Sequence, residues 1–242
     1  MQQASCVKVC KTLEIPPYFC NIPSSKTRDI ISVYKENLSP LWENLPVDTY
    51  VIGKYRYRRY GRFSFSPNDG TIQSLSRKEF TQKSQYNNLF PDIKRYFEPL
   101  ELVTEEQINY IKQFIKFDIA CLPDKYLDSI IHHELEVGVH LIRIIASEKE
   151  DITPTPEGIH KDGFDYVSIH LIQSNNIHIE SGVSRIYDEN KKLAHCFQLR
   201  HFLDSIIIND RKVFHDVSAI VPNNETYPAI RDVLITTFSN LT

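Results

Sequence analysis

Apolar residues recur along this chain with two different periods, and the change from one to the other marks its main division. Ile108, Ile111, Ile115 and Ile119 follow at spacings of three and four, which places them on one face of an α-helix. The segment Thr104-Glu105-Glu106-Gln107 supplies its start. A Thr hydroxyl there accepts from the backbone N–H three residues on, and the Gln side chain reaches back to the cap. A shorter helix is predicted over 125–135. Another is predicted over about 26–37, behind Ser24-Ser25, where Ile30, Ile31, Val33, Tyr34 and Leu38 keep partial helical spacing. Residues 1–24, with several Pro and turn formers, read as an arm. Residues 48–66, dense in Tyr, Val, Arg and Phe, read as a strand, with a turn at Ser66-Pro67-Asn68-Asp69-Gly70.

Beyond residue 136 the texture changes. The segments 137–146, 166–173, 176–187, 194–200, 205–208, 212–217 and 230–238 are rich in Val, Ile, Thr and aromatics and are separated by turn formers. So many short strands within roughly 105 residues leave no room for βαβ crossovers and predict a sandwich or jelly roll. The expected class is α+β and β-rich. A single domain is expected over 1–242, with a mixed helical and strand part over 1–135 framing a jelly-roll core over 136–242.

Composition removes several function classes. Hydrophobic residues make up 41% and charged residues 24%, so the chain can bury a core and is not disordered. A net charge of −3 is no footprint for coating nucleic acid or an anionic membrane. No apolar run reaches the ~18 residues of a membrane span, and the first residues lack the pattern of a signal peptide. The cysteines, Cys6, Cys10, Cys20, Cys121 and Cys196, are odd in number and form no C-x-x-C pair, which suits a reduced, cytoplasmic protein.

The chain has nine histidines, and two of them stand out as candidates for chemistry. In Gly158-Ile159-His160-Lys161-Asp162-Gly163, His160 and Asp162 are two apart, so in an extended segment both side chains point the same way. His215, in Lys212-Val213-Phe214-His215-Asp216-Val217, supplies a second imidazole far downstream. Two His and one carboxylate form the facial triad that holds Fe(II) and leaves positions open for a cosubstrate and O2. The absence of thiolate argues against structural zinc. Arg231 follows on the next predicted strand, sharing a face with Val233, Ile235 and Thr237. An inward guanidinium in an apolar wall is a bidentate partner for a carboxylate. A triad plus such an Arg is what a 2-oxo diacid needs at its two ends.

The stretch 135–239 resembles the bacterial Fe(II)/2-oxoglutarate dioxygenases that hydroxylate free aliphatic amino acids, in particular the isoleucine 4-hydroxylase group. The matching segments are Gly138-Val139-His140-Leu141-Ile142-Arg143, Ile159-His160-Lys161-Asp162, Ser168-Ile169-His170-Leu171, Lys212-Val213-Phe214-His215-Asp216-Val217 and Arg231-Asp232-Val233-Leu234-Ile235-Thr236-Thr237-Phe238-Ser239. Weaker likeness runs through 56–63 and Tyr86-Asn87, while the first ~45 residues match nothing. The resemblance implies a double-stranded β-helix, Fe(II), 2-oxoglutarate and O2, and a free amino acid as substrate. It assigns His160, Asp162 and His215 to the metal and Arg231 to 2-oxoglutarate. Two positions depart from the pattern: Gly163 replaces an acidic residue, and Glu180-Ser181-Gly182 replaces a Gly-Gly turn.

Arg58, Tyr86, Arg143, His140 and His170 are further candidates for contact with substrate. His140 and Arg143 lie on opposite faces of one strand, so one of them points into the pocket. His170 shares a polar face with Tyr166 and Ser168 and reads first as a structural His. Segment 54–62 interleaves Arg and Tyr and invites a nucleic-acid reading, which the net charge opposes. The expected partner is a small molecule, with neither nucleic acid nor membrane, and an oligomer is left open. Two other functions stay open at this point. One is a cupin-type metal enzyme that does not use 2-oxoglutarate. The other is a non-catalytic β-sandwich acting as a binding module.

Overall fold

Three of the seven strands in the larger sheet come from the half of the chain that reads as its helical frame. A computed structural model describes residues 13–28, 31, 33, 35–87, 89, 91–102, 104–147 and 152–241. In chain order the elements are β1 (Phe19–Ile22), α1 (Ser24–Arg28), α2 (Lys35–Leu38), α3 (Pro40–Glu43), β2 (Arg56–Phe65), β3 (Ile72–Leu75), α4 (Glu105–Cys121) and α5 (Asp124–Ser129). They continue with β4 (Leu135–Ala146), β5 (Tyr166–Asn175), β6 (Ser184–Tyr187), β7 (Leu193–Phe197), β8 (Ser205–Asn209), β9 (Phe214–Val217) and β10 (Ala229–Asn240). The larger sheet runs β1-β8-β5-β10-β4-β2-β3 and the smaller β7-β6-β9, with every pairing antiparallel. The two sheets face each other as the expected double-stranded β-helix. Among the described residues, no helix is long and apolar enough to cross a membrane.

Two apolar layers hold this arrangement, one on each face of the larger sheet. On the outer face, Ile111, Phe114 and Ile115 of α4 are fully buried in one cluster with Leu135, Val137 and Leu141 of β4 and Leu234 and Phe238 of β10. The α4 stripe exists because residues three and four apart share a helix face, and the capping box fixes where the helix begins: Thr104 Oγ1 accepts from Gln107 N–H at 3.1 Å. Between the sheets, Leu171, Ile206, Ile208 and Val233 of the larger sheet pack against Ile186 of the smaller. Each such side chain contributes roughly 1.5–3 kcal/mol of burial free energy.

Several expected elements take a different form. The arm over 1–24 is in part a strand, since β1 pairs with β8 from Phe19↔Ile208 to Ile22↔Ser205; residues 1–12 lie outside the described residues. The helix expected over 26–37 is replaced by α1 and α2; Ile31 and Val33, between them, are buried and not helical, and Ile30 and Tyr34 lie outside the described residues. The strand expected from Asp48 starts only at Arg56. Asp48 instead turns the chain, its carboxylate accepting from Tyr50 N–H (3.1 Å) and Arg56 Nε (2.8 Å). Only Ser184–Tyr187 of the segment 176–187 is a strand. Asn176 (φ 53°) bonds the carbonyls of Asn224 and Tyr227 and closes a turn there. Strand β2 pairs with β4 along ten residues, so the sheet continues without a break across residue 135.

Candidate active site

A backbone bridge brings the candidate ligands together. His160 N–H donates to His215 C=O at 3.1 Å, and His215 N–H donates to His160 C=O at 2.9 Å, which sets the two imidazole rings 4.4 Å apart. The loop holding His160 and Asp162 is clamped by Asp210, whose carboxylate accepts from the N–H groups of Asp162 (3.0 Å), Gly163 (2.7 Å) and Phe164 (3.1 Å). Gly163 has φ +91°, and a Cβ there would lie 2.6 Å from the Tyr86 ring. The glycine that departs from the family pattern is thus the residue this turn requires.

The donor set fits a divalent cation with nitrogen and oxygen ligands. His160 Nδ1 lies 2.9 Å from Gly158 C=O, so it carries the hydrogen and leaves Nε2 as the lone-pair donor. That Nε2 is 3.6 Å from Asp162 Oδ1, and His215 Nε2 is 3.3 Å from Asp162 Oδ2. The three residues each offer a ligand atom, and these lie within 4.8 Å of one another. Burial opposes charge on His160, but its bond to Asp162 and the nearby Glu157 prevail and push its pKa up to about 10. Burial also opposes charge on Asp162, yet its bonds to His160 and His215 hold it well below the usual carboxylate range. A field that keeps a proton between these groups favours a metal cation in the same place. Gln82 braces the carboxylate: Nε2 donates to Asp162 Oδ1 and C=O, both at 3.1 Å, while Oε1 accepts from Asn87 (2.9 Å) and Arg95 (2.6 Å).

The triad opens on a cavity of about 100 Å³ between the sheets. Arg231, Val233, Ile235 and Thr237 line it together, as their spacing on the strand predicts, with Ile142, Ile169 and Val217 completing much of the apolar wall. Arg231 is 5% exposed and has no hydrogen-bond or ion-pair partner among the described residues. Its neighbour Asp232 points to the other face, where Arg143 takes it in a bidentate bond at 2.7 Å on both arms. Burial lowers the Arg231 pKa to about 10.

Arg58 and His140 face the same cavity. Arg58 packs over the Phe97 ring at 4.0 Å, and its NH2 group lies 2.7 Å from His140 Nδ1. A guanidinium only donates, so His140 accepts at Nδ1 and is the neutral Nε2–H tautomer. Burial and Arg58 hold the His140 pKa well below its usual value, and burial followed by Arg56 lowers Arg58 to about 9. Arg58 Nε makes no hydrogen bond among the described residues.

Three substrate candidates lie elsewhere. Arg143 is on the outer face, held by Asp232. His170 is also on the outer face and fully buried, bonded to Asp118 (3.0 Å) and Ser205 (2.7 Å). Tyr86 stacks behind the loop on Gly163 and does not reach the cavity. Parity separates Arg143 from His140, and the pairing of Arg143 with Asp232 shows which of the two points outward. Residues that pattern reading missed are Gln82, Arg95, Asp210 and Glu157. Gln82 and Arg95 sit in irregular segments with no period to follow, whereas Glu157 stands three residues before His160 and could have been weighed with it.

A model of the 2OG-Fe dioxygenase family matches residues 39–237. The chain is 28% identical over 204 residues to 3(1)-hydroxy-L-isoleucine 4-dioxygenase of Pantoea ananatis strain AJ13355, covering 84% of this chain and 80% of the relative. It is 29% identical over 198 residues to L-isoleucine-4-hydroxylase of Bacillus thuringiensis, covering 81% and 79%. Among solved structures, a bsmA homolog from Methylobium petroleophilum PM1 superposes with a TM-score of 0.79 at 24% identity, over 96% of this chain and 92% of that one. That likeness bears on the fold.

Proposed function

The chain belongs to the 2OG-Fe dioxygenase family, and on that premise we propose that it hydroxylates an unactivated C–H bond of a free L-amino acid with a compact aliphatic side chain. The two relatives named for isoleucine chemistry support the substrate class. Fe(II), 2-oxoglutarate and O2 are the cofactors of the family, and when bound they supply the oxidising power, yielding succinate and CO2 beside the hydroxylated product. His160, Asp162 and His215 are the proposed iron ligands. Arg231 is the proposed anchor for the far carboxylate of 2-oxoglutarate. The observation that carries this reading is the unpaired guanidinium of Arg231, buried in the cavity that opens on the triad. A buried cation without a counterion is costly, and a dianionic cosubstrate removes that cost when it binds.

The remaining groups orient the substrate and keep water out. Arg58 and the neutral His140 Nε2–H are the proposed partners of the substrate carboxylate. Phe80, Ile142, Ile169 and Ile235 form an apolar wall suited to an aliphatic side chain. The basic segment 54–62 turns Arg56 and Arg58 inward and pairs Arg62 with Glu136, which favours this reading over nucleic-acid binding. The single domain over 1–242 and a cytoplasmic location complete the proposal, the latter on the odd, scattered cysteines. The test is a panel of L-amino acids with Fe(II), ascorbate and 2-oxoglutarate, read by mass for a gain of one oxygen and by succinate release. No succinate from iron-loaded protein overturns the reading.

A further inference from the structure

Two groups of opposite charge line the cavity with hydrogen-bonding capacity left over among the described residues. Arg58 Nε, buried, has no acceptor among the described residues. Glu157, three residues before His160, is 12% exposed in its side chain and makes no hydrogen bond among the described residues. Its one close approach is Oε1 to His160 Nε2, at 3.5 Å. In the proposed function that nitrogen is a metal ligand and does not donate to a carboxylate. Glu157 also stands outside the set of residues whose ligand atoms lie within 4.8 Å of one another. A carboxylate this buried needs donors, and none hydrogen-bonds it among the described residues, the buried Arg95 on the same cavity acting on it through its charge.

A guanidinium with its Nε–H left over and a carboxylate without a hydrogen-bond donor among the described residues, facing one cavity, are the complement of a zwitterion. We infer that Glu157 receives the ammonium group of the substrate, opposite Arg58 and His140, which receive its carboxylate. Glu157 is then the residue that makes the site select α-amino acids over the corresponding carboxylic acids. This inference rests on the proposed function and adds to it the determinant of substrate class.

The test is anaerobic calorimetry on protein loaded with Co(II) and 2-oxoglutarate. The probes are L-isoleucine, L-leucine and L-valine, each against the acid that lacks only its amine. Wild-type protein is expected to bind the preferred amino acid at least about tenfold more tightly than its des-amino acid. E157Q removes that preference and leaves the affinities for the des-amino acid, 2-oxoglutarate and Co(II) unchanged. E157D restores part of it. The inference is overturned if E157Q keeps the preference, or weakens both probes alike, or loses Co(II), which would make Glu157 a metal ligand. Wild-type protein that takes up Co(II) and 2-oxoglutarate but binds none of the amino acids overturns the proposed substrate class instead.

Discussion

Strand β10 buries polar side chains on both of its faces, and the two faces treat them in opposite ways. On the outer face, Thr236 bonds Asp118 of α4, Asp118 bonds His170, and His170 bonds Ser205, all of them fully buried. Asp232, four residues earlier on the same face, is taken by both arms of Arg143. Each of these charged groups has its counterpart, and an atom left over among the described residues is a hydroxyl, Ser168 Oγ. On the inner face, among the described residues, Arg231 has no partner, and Arg58 Nε, His215 Nδ1 and Thr237 Oγ1 make no hydrogen bond, His215 Nδ1 standing 3.8 Å from Asp210 Oδ1. Burial is the same on both sides, so burial alone does not mark a site. The unpaired charges do, because their desolvation persists only where a ligand supplies the missing partner.

The largest effect expected from that contrast belongs to the outer network. Asp118→Ala leaves His170 buried without its carboxylate and is expected to lower stability by about 3–5 kcal/mol, read by urea unfolding. The affinity of the folded protein for 2-oxoglutarate should stay as it was. A loss of cosubstrate affinity with little loss of stability would break the comparison. Arg231→Met is the mirror image. It removes an unpaired buried charge, so stability should hold or rise by about 1–2 kcal/mol, while affinity for 2-oxoglutarate falls by roughly 2–4 kcal/mol, some 30- to 1000-fold. The measurements are urea midpoints and calorimetric titration with 2-oxoglutarate. A destabilised R231M that still binds it would show that Arg231 is structural.

A smaller effect sharpens the inner side. Gln82 touches Asp162 but is not a candidate ligand, and it links that carboxylate to Arg95 and Asn87. Gln82→Ala should weaken divalent-metal binding by about 10- to 100-fold, as loss of a hydrogen bond that orients a ligand does, with the fold intact by circular dichroism. Unchanged Co(II) affinity would move Gln82 into the structural class with His170.

How much of this was readable in the chain follows the same line. The capping box at Thr104, the α4 stripe and the β10 alternation are local patterns, and each appears where the spacing put it. The H-x-D spacing in a loop and a lone His in a strand-like run pointed to His160, Asp162 and His215, which the structure brings together, and parity turned Arg231 inward with Val233, Ile235 and Thr237. What parity could not do was choose between His140 and Arg143, since it separates two faces without saying which is inside. Pairing with Asp232 decides that, and it depends on a strand 89 residues away. Likewise, β1 joins the sheet through β8, and Gln82 reaches Asp162 from an irregular segment, neither of which leaves a periodic trace.

The two buried histidines give the smallest and most direct test. His170 is clasped at both nitrogens by Asp118 and Ser205, whereas His140 faces Arg58 with one nitrogen and the cavity with the other. Burial, reinforced by Arg58, holds the folded His140 pKa well below its usual value, so the folded protein keeps this ring neutral in mild acid. The unfolded chain protonates it near pH 6.5. Below that pH the unfolded state binds a proton that the folded state does not, so stability falls as pH falls, by up to about 1.4 kcal/mol per pH unit until the folded pKa is reached. His140→Gln cannot take up that proton. Between pH 6.5 and 5 its stability should decline less steeply than that of the wild type, by as much as one proton's worth of slope in urea unfolding series. Equal slopes would mean that His140 is protonated in the fold, with its Nδ1 no longer accepting from Arg58, and the inner face would then hold one neutral donor fewer than its geometry assigns.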